Sequence, residues 1–115
     1  MLIYKIFTAE QWVALAKEGV TEGAPVDLED GFIHFSTAAQ APETAARHFS
    51  GRGDLVLAAV DADAVADALR WEPSRGGDLF PHLYRALWRA EMSWSAPLPL
   101  GPDGRHAFPE GFGAS

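Results

Sequence analysis

Cysteine is absent from this chain. That absence excludes a disulfide framework, a thiolate zinc site and a cysteine nucleophile together. A small secreted domain ordinarily needs bridges, so a reducing, cytoplasmic setting is expected. Long apolar runs are missing as well. None approaches the roughly 18–20 residues of a membrane-spanning helix, and no membrane partner is expected. The opening MLIYKIFTAEQW lacks the basic start, apolar run and small-residue cleavage site of a signal peptide. Positive charge is scarce: nine Lys and Arg stand against sixteen Asp and Glu, for a formal net charge of −7. Such a field repels nucleic acid, which is not an expected partner, although a local basic cluster can still hold one phosphate.

What is present is enough for one ordinary core. The chain has 115 residues, 48% apolar and 11% aromatic, which fits one domain and argues against disorder. Residues 1–109 read as that domain and 110–115 as a C-terminal tail. The Gly- and Pro-rich stretch 101–115 is expected to be irregular, packed by Phe108 and Phe112.

Hydrophobic periodicity gives the elements. Residues 2–7 alternate and are rich in branched and aromatic side chains, so they predict a strand. Thr8 and Gln11 have capping-box spacing, and Trp12, Leu15 and Ala16 predict a helix over 9–18 ended by Gly19. Residues 23–30 read as a turn-rich acidic connection and 32–35 as a short strand. Thr37 and Gln40 repeat the capping-box spacing before an alanine-rich helix opened by Pro42 and closed by Gly51 and Gly53. Residues 55–60 form the clearest buried strand. Asp61 or Asp63 is expected to cap a short helix carrying Val65, Ala68 and Leu69. A strand over 69–72, a loop over 73–81 and a late strand over 84–94 complete the order. This predicts an α+β single domain with a mixed or antiparallel sheet and two to three helices.

Two segments concentrate the chemistry. In Gly31-Phe32-Ile33-His34-Phe35-Ser36, strand geometry sends His34 and Ser36 to one face and Phe35 to the other. An imidazole beside a hydroxyl can hold ribose hydroxyls or position a reacting group. On spacing alone, the plainer reading is that Ser36 or Thr37 caps the next helix and His34 is a hydrogen-bonded, partly buried residue. The second segment runs from Glu72 to Tyr84. There Arg75, with Gly76 and Gly77, can offer a guanidinium and free N–H groups to a phosphate or carboxylate. His82 can act as acid, base or donor, and Tyr84 can stack on a flat ring. The plainer reading is a tight turn held by Arg75 and Glu72 over a core of Phe80 and Leu83. Arg70, Arg75, Arg85 and Arg89 fall close together, which marks this stretch as the expected place for an anion. No P-loop, GxGxxG, HExxH or GxSxG pattern is present. His34 and His82 could ligate a metal with a carboxylate, but nothing local demands it, and no metal is expected. His48 reads as a complement to its helix C-terminus and His106 as solvent-exposed. Residues 43–47 read as a solvated helix face, and Trp12, Trp71, Trp88 and Trp94 as core or interface residues.

The runs DGFIHFSTAAQ, TAARHF, GDLVLAAVD, LRWEPSRGGDLFPHLYRAL and the closing LPL resemble the bacterial family called domain of unknown function 952, from residue 4 to about 109. The resemblance implies an ADP-ribosylation-like fold, shared with toxin catalytic domains and RNA 2′-phosphotransferases. In that superfamily a strand carries His-x-Ser or His-x-Thr, which His34-Phe35-Ser36 matches. It implies NAD as cofactor, His34 on a ribose hydroxyl, and Ser36 supporting the strand. His82 stands for the second histidine of the 2′-phosphotransferase-like branch, with Tyr84 as its alternative. Thr37, Arg75, Gly76 and Tyr84 join His34 and Ser36 as candidate cofactor-binding residues, and His34 and His82 are the candidate catalytic pair. The late glutamate of many transferases has one counterpart here, Glu91. Three functions follow: ADP-ribosyl or phosphoribosyl-type transfer, a non-catalytic nucleotide or small-anion module, and a metal-dependent hydrolase.

Overall fold

A computed structural model describes residues 1–113, with the side chain of Arg75 excepted. The elements in order are β1 (Leu2–Phe7), α1 (Ala9–Glu18), β2 (Val20–Thr21), α2 (Pro25–Asp30), β3 (Ile33–His34), α3 (Ala41–His48), β4 (Leu55–Asp61), β5 (Leu69–Pro73), β6 (Leu79–Leu83), β7 (Leu87–Trp88) and β8 (Met92–Leu98). All strand pairs are antiparallel. The three sheets are ordered β1-β4-β8, β2-β7 and β3-β6-β5. The domain is therefore α+β, with three helices. Among the described residues, no helix is long and apolar enough to cross a membrane.

The period-2 rule explains why β1 and β4 are apolar along nearly their whole length. Ile3 and Phe7 of β1 and Ala58 and Val60 of β4 bury one face, against Leu15 of α1 and Ile33, Phe35, Leu83 and Leu87. Tyr4, Ile6, Leu55, Leu57 and Ala59 bury the other, against Ala41 and Ala45 of α3 and Leu98. The central sheet is covered on both sides, so polar alternation has no role there. The tail closes the second core: Phe112 packs on Tyr4 with ring centroids 4.7 Å apart, and Phe108 packs on Phe112.

Local signals formed as expected at β1, α1, α3 and β4. Thr8 and Gln11 make a full capping box, and Gly19 ends α1 at φ 77°. Pro42 lies in the first turn of α3. Asp61 caps a short 3₁₀ turn, Ala62–Val65, but that turn carries only Val65 of the three expected residues: Ala68 lies beyond it and Leu69 opens β5.

Four expectations need correction. The connection 23–30 contains α2, opened by Pro25 and ended by Gly31. The expected loop 73–81 is a hairpin turn only over residues 74–78, and Pro81 lies inside β6. Proline is tolerated there because β3 ends opposite it, and its carbonyl accepts the Phe35 N–H at 3.0 Å. The late strand is broken into β7 and β8 by a 3₁₀ turn, Arg89–Glu91. The Glu91 carboxylate holds that break by accepting the Trp88 N–H at 3.0 Å and pairing with Arg85. His106 is half-buried, its Nε2 2.8 Å from the Arg52 carbonyl oxygen, and not solvent-exposed.

Candidate functional site

The strand carrying the first motif bridges two sheets. Ile33 and His34 pair with β6, and Ser36 then exchanges two backbone hydrogen bonds with Tyr4 of β1, at 2.8 and 2.9 Å. This crossing leaves a gap between β1, α3, the start of α2 and β6. The gap is a cavity of about 560 Å³, with His34, Ser36 and His82 on its wall beside Lys5, Thr44 and His48. Phe35, Phe49 and Phe80 supply apolar wall.

His34 and His82 face each other directly in the β3–β6 register, with ring centroids 5.4 Å apart. Phe32, two residues before His34 on the same strand face, stacks on His82 at 4.1 Å and also touches His34. Each imidazole is oriented by carboxylates. His34 Nδ1 lies 2.5 Å from Asp27 Oδ1, and His34 Nε2 lies 3.0 Å from Asp30 Oδ2. His82 Nδ1 lies 2.8 Å from Glu72 Oε1, which also accepts the Tyr84 hydroxyl at 2.7 Å. Those two hydrogen bonds, first from Tyr84 and then from His82, hold the Glu72 carboxyl below its usual range.

Asp27 is the hub behind this wall. Its side chain is fully buried. Oδ2 accepts from Lys5 Nζ and from the Ala24 N–H, both at 2.7 Å, while Oδ1 faces the backbone N–H and Nδ1 of His34. Burial alone would push this carboxyl up. The hydrogen bond from His34, the charge and bond of Lys5 and the Ala24 bond outweigh burial and hold it down at about 2. A depressed carboxyl stabilises the fold above its unfolded pKa, and that contribution is lost as pH falls through the folded value. Between pH 4 and pH 2 the fold is therefore expected to lose on the order of 2 kcal/mol from Asp27, read as a falling urea midpoint. An unchanged midpoint across that window would contradict this role.

The candidate residues from the sequence separate into two groups. His34, Ser36 and His82 meet at the cavity. Thr37 is spent on its capping box with Gln40, at 3.3 and 3.0 Å, and faces a smaller pocket. Gly76 sits in the hairpin turn at φ 71°, and Tyr84 lies on the outer side, under Arg70; neither lines the cavity. The side chain of Arg75 lies outside the described residues, while its neighbour Ser74 reaches the cavity. Glu91 is bound by Arg85, at 2.7 Å, and is not part of the lining. The arginine-bearing stretch also turns elsewhere: Arg85 bridges Asp67 and Glu91, and Arg89 lies over Trp12. The helix stretch 43–47 is not wholly solvated, since Thr44 faces the cavity with its Oγ1 3.0 Å from Ser36 Oγ.

Sequence reading missed Asp27, Lys5, Asp30 and Thr44, and it gave Glu72 a turn-holding role where the structure sets it on His82 and Tyr84. One signal was available: Lys5 is a lone charge inside an apolar strand, and a buried charge demands a partner. Nothing separates Asp27 from Glu29 or Asp30 in the sequence. Among the described residues, no three His, Asp or Glu side chains converge to hold a metal ion. Both nitrogens of His34 already face carboxylates, so a metal there would have to displace one of them.

Relatives frame this site. A crystal structure of protein CC0527 from Caulobacter crescentus matches with a TM-score of 0.88 at 50% identity, over 93% of this chain and 94% of that one. A solution structure of CC0527 matches with a TM-score of 0.82 at 51% identity, over 90% of each chain. No curated protein matches the chain. The family model described as "Protein of unknown function (DUF952)" covers residues 6–95, and the chain belongs to that family.

Proposed function

We propose that the cavity takes a nucleotide-type ligand of the NAD class, on a domain built like an ADP-ribosyltransferase, with ADP-ribosyl or phosphoribosyl-type transfer as its chemistry. One observation carries this reading: His34 and His82, distant in sequence, stand opposite each other on one wall of a cavity of about 560 Å³. That volume falls in the range of roughly 300–1,000 Å³ usual for small-molecule sites. His34 and Ser36 can address neighbouring hydroxyls of one ribose. Glu72 occupies Nδ1 of His82, which leaves Nε2 as the ring atom available to an acceptor or phosphate. Phe49 and Phe80 suit a flat ring. No Asp or Glu lines the cavity among the described residues of a chain with net charge −7, which favours an anionic ligand. When bound, NAD would supply an activated ribose–nicotinamide bond. The chain's own residues would hold the ribose, orient the leaving group and exclude water. Glu91 is engaged by Arg85 outside the cavity, so the two-histidine form of the chemistry is favoured over protein ADP-ribosylation. The missing cysteines fit a cytoplasmic setting.

A second reading, a non-catalytic nucleotide or small-anion module, is favoured by one contact. Asp30 occupies Nε2 of His34, the atom a ribose hydroxyl would need.

Calorimetric titration with NAD and ADP-ribose tests both readings. The unaltered protein is expected to bind, and His34→Ala and His82→Ala each to weaken binding about tenfold or more. Unchanged affinity in His34→Ala overturns the site assignment. Nicotinamide release supports transfer, and binding without release supports the module.

A further inference from the structure

The chain has two lysines, and their surroundings are opposite. Lys17 is exposed in the last turn of α1. Lys5 is in the middle of β1 and only 7% exposed. Its Nζ donates to Asp27 Oδ2 at 2.7 Å, its single hydrogen-bond partner among the described residues, although an ammonium carries three donors. Lys5 is also among the residues that line the cavity. The amine is thus shielded from bulk water in a residue that borders a ligand-sized space. Such desolvation is what activates an imine-forming lysine.

We propose that Lys5 is a reactive amine that condenses with an aldehyde or ketone held in the cavity. The neutral amine attacks the carbonyl carbon, and the C–N bond forms as the C=O electron pair moves onto oxygen. The proton released from nitrogen passes to that oxygen, giving a carbinolamine. The hydroxyl then leaves with the remaining N–H proton, giving the imine and one water. No oxidant or reductant is consumed. Burial pushes the Lys5 amine down from its ordinary value, and the opposing charge and hydrogen bond of Asp27 recover only part of the shift. The neutral, nucleophilic form is therefore more accessible than in an ordinary exposed lysine. The apolar cavity wall suits a carbonyl compound with an apolar body. This proposal stands apart from the nucleotide reading, since it depends on the amine and not on ribose recognition.

The test uses the unaltered protein. It is incubated with benzaldehyde or glyoxylate, reduced with borohydride, digested and mapped by mass spectrometry. In the folded protein, Lys5 is expected to carry the reduced adduct with at least one probe, about tenfold faster than exposed Lys17. In urea the two lysines should label alike. Lys5→Arg keeps the positive charge, and its circular dichroism reports whether it folds; the folded variant should lose the fast adduct. Adducts confined to Lys17 and the Met1 α-amine, or equal labelling of both lysines in the folded state, overturn the proposal. Those outcomes would leave Lys5 as a counter-charge to Asp27.

Discussion

Asp27→Asn is expected to destabilise the fold by about 3–5 kcal/mol, the usual effect of removing one partner from a buried ion pair. The side chain is nearly isosteric, so the loss is not a matter of volume. Each carboxylate oxygen of Asp27 receives two donors: Lys5 Nζ and the Ala24 N–H at one, the His34 N–H and Nδ1 at the other. An amide presents an NH₂ to one of those donor pairs and carries no charge. Lys5 is left buried and uncompensated, and one end of the hub becomes a donor facing donors. At about 4 °C per kcal/mol for a domain of this size, the thermal midpoint falls by roughly 10–20 °C. Adding Lys5→Met should recover a good part of the loss, because replacing both buried charges with apolar volume is far less unfavourable than stranding one. A single-variant loss under about 1 kcal/mol in urea titration would show that water already screens this pair.

Gly23→Ala is expected to lower stability by about 2–4 kcal/mol, from two separate causes. Gly23 has φ 105°, a conformation L side chains rarely adopt. A Cβ there would also lie 2.4 Å from Asp27 Oδ2 and 2.5 Å from Asp27 Cβ. The clash falls on a carboxylate already fixed by Lys5 and His34, so it cannot swing aside without breaking the hub. Gly31→Ala is the control. Its φ is 86° and nothing lies within 4 Å of its would-be Cβ, so it carries the backbone strain alone, about 1–2 kcal/mol. The difference between the two variants measures how tightly Asp27 is held. Equal losses would mean that Asp27 moves freely.

Much of the scaffold is legible because its signals are local. The Thr8–Gln11 box, the apolar period of α1 and the branched run of β4 each act within a few residues, and the fold obeys them. The later strands were harder to read. Residues 84–94 look continuously extended, yet Glu91 folds back on Trp88 and Arg85 and breaks them apart. Pro81 looks like a loop residue until β3 is seen to end opposite it. The Pro81 exception comes from a partner that no local window contains, whereas Glu91 finds its partners three and six residues away, through a turn that an extended reading does not allow.

The same division runs through the site. The sequence by itself determined that His34 and Ser36 share one strand face, because side chains alternate along any strand. It also determined that Lys5 is a charge in an apolar strand. Only the tertiary structure decided what these groups face. Antiparallel register set His82 opposite His34, and a bridge to β1 opened the cavity beside them. The short helix α2 supplied Asp27 to Lys5 across 22 residues of chain. The physical reason is the range of the forces involved. Alternation and capping are decided by neighbours along the backbone. The pairing of a buried charge is decided by which segments pack together, where the desolvation of Lys5 and Asp27 is offset by each other, by His34 and by the Ala24 N–H.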